Sequence, residues 1–153
     1  DWCPSRGLGD VYKRQRVKIA FVLFFLTGAT GSITALADVL FPSASFVEGF
    51  IEDFDSTSEV LTRLRILHPF VSTILSIFLF LESNRFKKEY GIDSYIIKFL
   101  IIVGVILGVL NVFSNIILPL SILHLLLADL LWITYVYKSI EKAVFLKVPE
   151  NKE

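Results

Sequence analysis

Four long runs of apolar residues alternate with polar segments along the chain, at about residues 18–41, 64–81, 95–118 and 120–137. A run of roughly 18 or more apolar residues can cross a bilayer as a helix, because about 20 residues at ~1.5 Å each span the hydrocarbon. The pattern therefore predicts an all-α fold, an integral membrane bundle of four transmembrane helices in residues 16–138.

Polar residues and prolines mark the ends of these runs. Pro42 follows the first run, Glu82, Ser83 and Asn84 are expected to end the second, and Pro119 separates the third from the fourth. Proline suits the first turn of a helix, so Pro119 predicts a tight hairpin between spans three and four. No internal sequence repeat is evident.

Charge divides the connections into two classes. The outer loop at 42–63 carries five acids and no Lys or Arg up to Thr62: Glu48, Glu52, Asp53, Asp55 and Glu59. Basic residues follow spans two and four: Arg85, Lys87, Lys88, Lys138, Lys142 and Lys147. Basic loops stay in the cytoplasm. This predicts a multi-pass cell-membrane protein with both termini and the 139–153 tail inside and the acidic loop outside.

Within the acidic loop, Phe46, Phe50 and Phe54 recur at helical spacing. The spacing predicts a short amphipathic helix over Ser45 to Phe54. Such a helix either lies on the outer membrane surface or packs over the bundle.

Composition adds few further constraints. Hydrophobic residues make up 54% of the 153 residues, and the formal net charge is zero, so nothing indicates nucleic-acid binding. Ser5 to Gln15 is similar to the translation of a transposase adapter used in sequencing libraries. Residues 1–15, with the single cysteine Cys3, are therefore interpreted as a non-native leader, the native frame being expected to begin near Arg16 with its upstream part missing.

The two histidines carry the strongest chemical signal. His68 lies four residues into span two and His124 four residues into span four, and both spans run inward. Both imidazoles are therefore expected ~6 Å below the outer helix ends. Ionisable groups inside a membrane usually face the bundle interior and serve a function. Two imidazoles at one depth can supply both axial ligands of a haem iron.

Small residues near the histidines fit a flat macrocycle. Ser72 and Ser76 follow His68 on one helical face, and Ala128 follows His124. Spans one and three also carry small or polar faces: Gly28, Gly31 and Ala35, and Gly104, Gly108, Asn111 and Asn115. For the glycines, ordinary helix packing is the preferred interpretation.

Charged residues flank the expected site. Arg63 and Arg65 precede His68 at the outer boundary, where they either pair with haem propionates or reach lipid headgroups. Asp38 and Asp129 are membrane-embedded acids that could pair with an arginine, orient a histidine or transfer protons; a structural or tuning role is favoured. A zinc or copper ion would need further ligands, which the native part of the chain does not offer. The alternative for the histidines is a hydrogen-bonded pair without metal.

Two segments resemble the second half of bacterial haem A synthases: GSITALADVLFPSASFVEGFIEDFDSTSEVLTRLRILHP at Gly31 to Pro69 and SILHLLLADLLWI at Ser121 to Ile133. That family has two four-helix repeats, each with histidines on its second and fourth helices. The resemblance implies a share in oxidising a methyl group of haem O to the formyl group of haem A for cytochrome c oxidase.

The resemblance also implies a division of roles. In the family the substrate-binding repeat has a glutamate three residues before its histidine, where this chain has Arg65. His68 and His124 would thus ligate a resident haem b, with haem O held by a missing N-terminal half and haem O synthase or oxidase assembly proteins as partners. The alternatives are a stand-alone bis-histidine membrane cytochrome and a cofactor-free membrane bundle.

Overall fold

The computed structural model describes residues 4–90, 92, 94–114 and 118–145, and the side chains of 14–88, 92, 94–114 and 118–141. The described residues form helices and no strand. The helices are α1 (Pro4–Leu40), α2 (Phe46–Phe54), α3 (Val60–Leu64), α4 (Leu67–Tyr90), α5 (Tyr95–Phe113) and α6 (Leu118–Phe145).

Four parts of these helices are long and apolar enough to cross a membrane: Arg14–Leu40, Val60–Lys88, Tyr95–Phe113 and Leu118–Glu141. Most of their large apolar side chains are exposed on the protein surface, as a lipid-facing surface requires. The predicted all-α bundle of four transmembrane helices is confirmed.

The helix boundaries differ from the predicted ones in informative ways. Glu82, Ser83 and Asn84 do not end the second helix, because α4 continues to Tyr90. Glu82 and Ser83 are buried, and Glu82 lies 3.6 Å from Arg16 of α1, so these polar residues have protein surroundings inside the bundle. α5 ends at Phe113, and the predicted hairpin falls on residues 115–117, outside the described residues. Pro119 does lie in the first turn of α6, where its missing N–H is harmless.

The bundle consists of two helix pairs. α1 packs along α4 and α5 packs along α6, while α4 and α5 join the pairs. A cluster toward the C-terminal end of α4, which includes Leu79, Phe86 and Tyr135, forms much of the core. The Trp132 ring of α6 lies 4.7 Å from the rings of both Phe21 and Phe24 of α1, edge to face, which also holds the first and last spans together.

A break between α3 and α4 precedes His68. Pro69 has no N–H to donate to the carbonyl of Arg65, four residues before it. That carbonyl instead accepts bonds from the His68 backbone N–H (3.2 Å) and from the Thr34 hydroxyl of α1 (3.3 Å). The proline therefore ends α3 and ties the start of α4 to α1.

Helix α2 confirms the predicted amphipathic helix. Its N-cap Ser45 accepts a bond from the Glu48 N–H, which satisfies one free donor of the first turn. Phe46 packs on Phe113 of α5, with ring centroids 4.6 Å apart, whereas Phe50 and Phe54 remain more than half exposed. α2 thus contacts the bundle and also presents an apolar face outward.

Candidate functional site

The imidazole of His68 lies against the backbone of α1. A Cβ built on Gly31 would come within 3.0 Å of the His68 Cε1 atom, closer than side chains normally pack. The ring Nδ1 lies 3.5 Å from the Thr30 hydroxyl oxygen, and the Thr27 carbonyl also faces the ring. The Thr30 hydroxyl lies 2.8 Å from the Leu26 carbonyl, to which it can donate, and in that arrangement its oxygen can accept a bond from a protonated Nδ1.

The imidazole of His124 has the same surroundings on the other helix pair. A Cβ built on Gly108 of α5 would lie 3.1 Å from its Cε1 atom. Its Nδ1 lies 3.1 Å from the Gly104 carbonyl, one turn before Gly108. A carbonyl is an acceptor only, so Nδ1 carries the proton and donates it.

The Gly104 carbonyl therefore favours the Nδ1-protonated tautomer of His124, and the Thr30 hydroxyl is compatible with the same tautomer of His68. A neutral ring in that tautomer keeps the lone pair of Nε2 for a ligand. The structure thus places one histidine on α4 and one on α6, each against a glycine of the helix packed beside it.

The glycines divide into two groups. Gly31 and Gly108 contact the imidazoles, so the helix-packing interpretation of these two glycines is incomplete. Gly28 and Gly104 have nothing within 4 Å of a built Cβ. The small residues beside the ligands are partly accessible: Ser72 and Ser76 are half-buried and Ala128 is exposed.

Arg65 is buried in a network of carboxylates. Its Nη1 bonds Asp38 of α1 at 3.0 Å, its Nε bonds Asp53 at 2.9 Å and its Nη2 bonds Glu52 at 3.2 Å, the last two from α2. The Ser43 hydroxyl donates to Glu52 at 2.6 Å and also lies within 3.4 Å of the guanidinium. One guanidinium therefore joins α1, α2 and the start of α4.

The network fixes the register of α1 against the histidine helix. Asp38, Thr34 and Gly31 lie along one face of α1 and contact, in turn, the Arg65 guanidinium, the Arg65 carbonyl and the His68 ring. A shift of α1 would break all three contacts together.

Two of the acids outside the spans have altered proton affinity. Partial burial raises the pKa of Asp53, which the Arg65 guanidinium opposes. Hydrogen bonds from the Thr57 N–H and hydroxyl lower the pKa of the exposed Asp55 carboxyl.

The remaining predicted polar residues lie apart from the rings. Arg63 is exposed on α3, and Asp38 has an arginine partner, one of the three roles considered for it. Asp129 is exposed on α6.

The sequence interpretation missed Thr30 and the carbonyls of Thr27 and Gly104, whose roles depend on which helices become neighbours. Small residues at i and i+4 (Thr27 and Gly31, Gly104 and Gly108) are the only sequence signal for them.

Comparison with known proteins agrees with this architecture. A family model described as cytochrome oxidase assembly protein, COX15-CtaA, matches residues 12–136, which is most of the chain. The chain belongs to this family. It is the haem A synthase family, so the resemblance seen in the sequence is confirmed, and the apolar spans are those of a multi-pass membrane protein.

The chain is also similar to parts of two longer proteins. Two relatives, from two strains of Thermus thermophilus, are both named protoheme IX farnesyltransferase. Each is 30% identical over 150 residues, covering 89% of this chain. The chain spans only 24% of the length of each relative. No solved structure matches the chain significantly.

Proposed function

We propose that this chain is the haem b-binding unit of a haem A synthase, with His68 and His124 as the two axial ligands. The observation that carries the proposal is the paired arrangement of the rings. Each imidazole rests on a glycine of the preceding span and directs Nδ1 to an acceptor there, which leaves Nε2 for the iron.

The donor set suits a haem better than a bare metal ion. Among the described residues no group of three or more His, Cys, Asp or Glu side chains could hold an ion. Zinc and copper sites normally take at least three protein ligands. A porphyrin brings four nitrogen ligands of its own, so two histidines complete its coordination.

The two histidines also favour electron transfer over oxygen activation. A haem held here would supply an iron that takes up and passes on single electrons, with both axial positions closed. The Nδ1 contacts with the preceding span would limit the movement of the two rings when the iron gains or loses an electron. We infer that this unit accepts electrons during the oxidation of haem O to haem A, while haem O is held in another part of the protein.

Arg65 supports this assignment. The position three residues before His68 holds a buried arginine bound by Asp38, Asp53 and Glu52, where the family's substrate-binding repeat has a glutamate. Since Arg65 already has carboxylate partners, the propionate-binding role is proposed for the exposed Arg63 alone.

The relatives agree with a role in haem modification. Their name concerns protohaem IX, but it belongs to proteins of which this chain matches about a quarter. Farnesyl transfer is therefore not part of the proposal.

Haem O synthase and oxidase assembly proteins are proposed as partners. The acidic loop is proposed to face outward and both termini the cytoplasm, because Arg85, Lys87 and Lys88 follow the second span.

The proposal is tested in the intact protein that contains this segment. His68→Ala and His124→Ala are introduced separately, and the haems extracted from the membranes are separated and quantified. Both variants are expected to accumulate haem O at the expense of haem A. Thr73→Ala, an exposed position one helical turn further along α4, is the matched control and should leave haem A unchanged.

Unaltered haem A in both histidine variants would contradict the role in haem A formation. If such variants nevertheless lost a b-type spectrum, the segment would be an electron-transfer cytochrome instead.

A further inference from the structure

Asp129 lies at the middle of the fourth span. It is the twelfth of the 24 residues in Leu118–Glu141. At ~1.5 Å per residue it is roughly 16 Å from either end of the span. Its side chain is too short to reach water from there, and a carboxylate at this depth is costly unless it has a polar partner.

The side chain of Asp129 points away from the histidine site. It is exposed, and so are Leu125 and Ile133, one turn on either side of it, at 62% and 60%. Within the part of the chain that the structure describes, no side chain bonds or pairs with Asp129, and Lys138, further along α6, is already paired with Glu141 at 2.8 Å. The result is an apolar face with a single carboxylate at its centre.

We propose that this face, formed by Leu125, Asp129 and Ile133, packs in the assembled protein against a transmembrane helix that carries a lysine or arginine at the same depth. Lipid tails offer no hydrogen-bond donor to the carboxylate. A second copy of the chain packed through the same face would bring one Asp129 toward the other, with only apolar neighbours. A basic membrane helix supplies both the apolar contact and the compensating charge.

The test places a reporter beside the carboxylate in the intact protein in its own cell membrane. After Cys3→Ser, Leu125→Cys is labelled with a bimane fluorophore, and quenching by lipids with a spin label in mid-chain is measured. Ile106→Cys is the matched control, because Ile106 of α5 is 51% exposed at mid-span without a charged neighbour on its face. The Leu125→Cys reporter is expected to be shielded from the quencher and the Ile106→Cys reporter to be quenched.

The charge is then removed. Asp129→Asn keeps the size of the side chain, so it preserves folding, and it is expected to increase quenching of the Leu125→Cys reporter several-fold. Equal quenching of both reporters before that change would show that lipid covers the face and would overturn the proposal. A disulfide-linked dimer through unlabelled Leu125→Cys would overturn it in favour of a second copy. Shielding that Asp129→Asn leaves unchanged would show that a cation is not the partner.

Discussion

The chemistry of the two histidines depends on which backbone atoms surround each ring. Imidazole has two nitrogens, and a hydrogen bond at one decides which carries the lone pair. The Gly104 carbonyl accepts a bond only from a protonated Nδ1 of His124, and the Thr30 hydroxyl, which can donate to Leu26, is compatible with a protonated Nδ1 of His68. Glycine is required beside each ring because a methyl group would occupy the space of the imidazole edge.

Gly31→Ala is expected to displace the His68 ring and weaken haem binding. Overpacking of this kind costs about 1–3 kcal/mol, equivalent to a loss of affinity between roughly fivefold and 150-fold. The ratio of haem to protein and the reduced spectrum report the loss. Alanine favours helix over glycine by about 1 kcal/mol, so a weaker α1 could not explain the result.

Gly28→Ala on the same helix is the matched control, since a Cβ there meets nothing within 4 Å. Gly108→Ala and Gly104→Ala form the equivalent pair on α5. The account would be contradicted by equal haem content in Gly31→Ala and Gly28→Ala.

At this scale the sequence indicates the two histidines as candidates but not their surroundings. Their placement near the N-terminal ends of the second and fourth spans follows from hydropathy and numbering alone. That Gly31 contacts His68, 37 positions later, depends on the pairing of α1 with α4, which a local pattern does not contain. The carboxylate partners of Arg65 could not be predicted for the same reason, since they come from α1 and α2.

At the scale of the helices, local chemistry explains some boundaries and tertiary contacts explain others. Pro69 separates α3 from α4 because it has no N–H to donate, and Pro119 lies in the first turn of α6. Glu82 and Ser83 suggested a helix end because they are polar in an apolar run. Their burial, with Arg16 close to Glu82, lets α4 continue, and a contact with a distant helix cannot be inferred from local composition.

Arg65→Met is expected to destabilise the fold by about 2–3 kcal/mol. Removing the guanidinium leaves Asp38 and Asp53 partly buried without their cation, which costs more folding free energy than the loss of a surface ion pair. Glu52 is more exposed, so its ion pair contributes less to stability. Thermal unfolding in detergent, followed by circular dichroism, measures the change.

Arg63→Met, at the exposed neighbouring arginine, is the control, and in haem-free protein the stability should stay within about 0.5 kcal/mol of the wild type. Equal destabilisation by both substitutions would mean that the network around Arg65 does not hold α1, α2 and α4 together.

At the scale of the molecule, the same local arrangement occurs twice. The α1/α4 pair places His68 on Gly31, and the α5/α6 pair places His124 on Gly108. No sequence repeat accompanies this similarity, since only the glycine, a backbone carbonyl one turn before it and the histidine recur. The number of spans and the fold class, in contrast, could be predicted, because bilayer thickness fixes the length of an apolar helix.

The orientation of the whole molecule is tested by labelling single cysteines. After Cys3→Ser, a cysteine at the exposed Ser56 of the acidic loop should react with a membrane-impermeant maleimide in intact cells. A cysteine at the exposed Asn84, near the inner end of α4, should react only after the membrane is opened, because the basic residues that follow stay in the cytoplasm. Labelling of Asn84→Cys in intact cells would reverse the orientation.

The absorption spectrum of the detergent-purified chain, oxidised and reduced, shows whether His68 and His124 hold a haem between them. We expect a low-spin b-type spectrum with one haem per chain, lost or converted to a different coordination state in both His68→Ala and His124→Ala. Wild-type protein that is helical and folded but binds no haem would rule out the bis-histidine haem site, as would a spectrum that either substitution leaves unchanged.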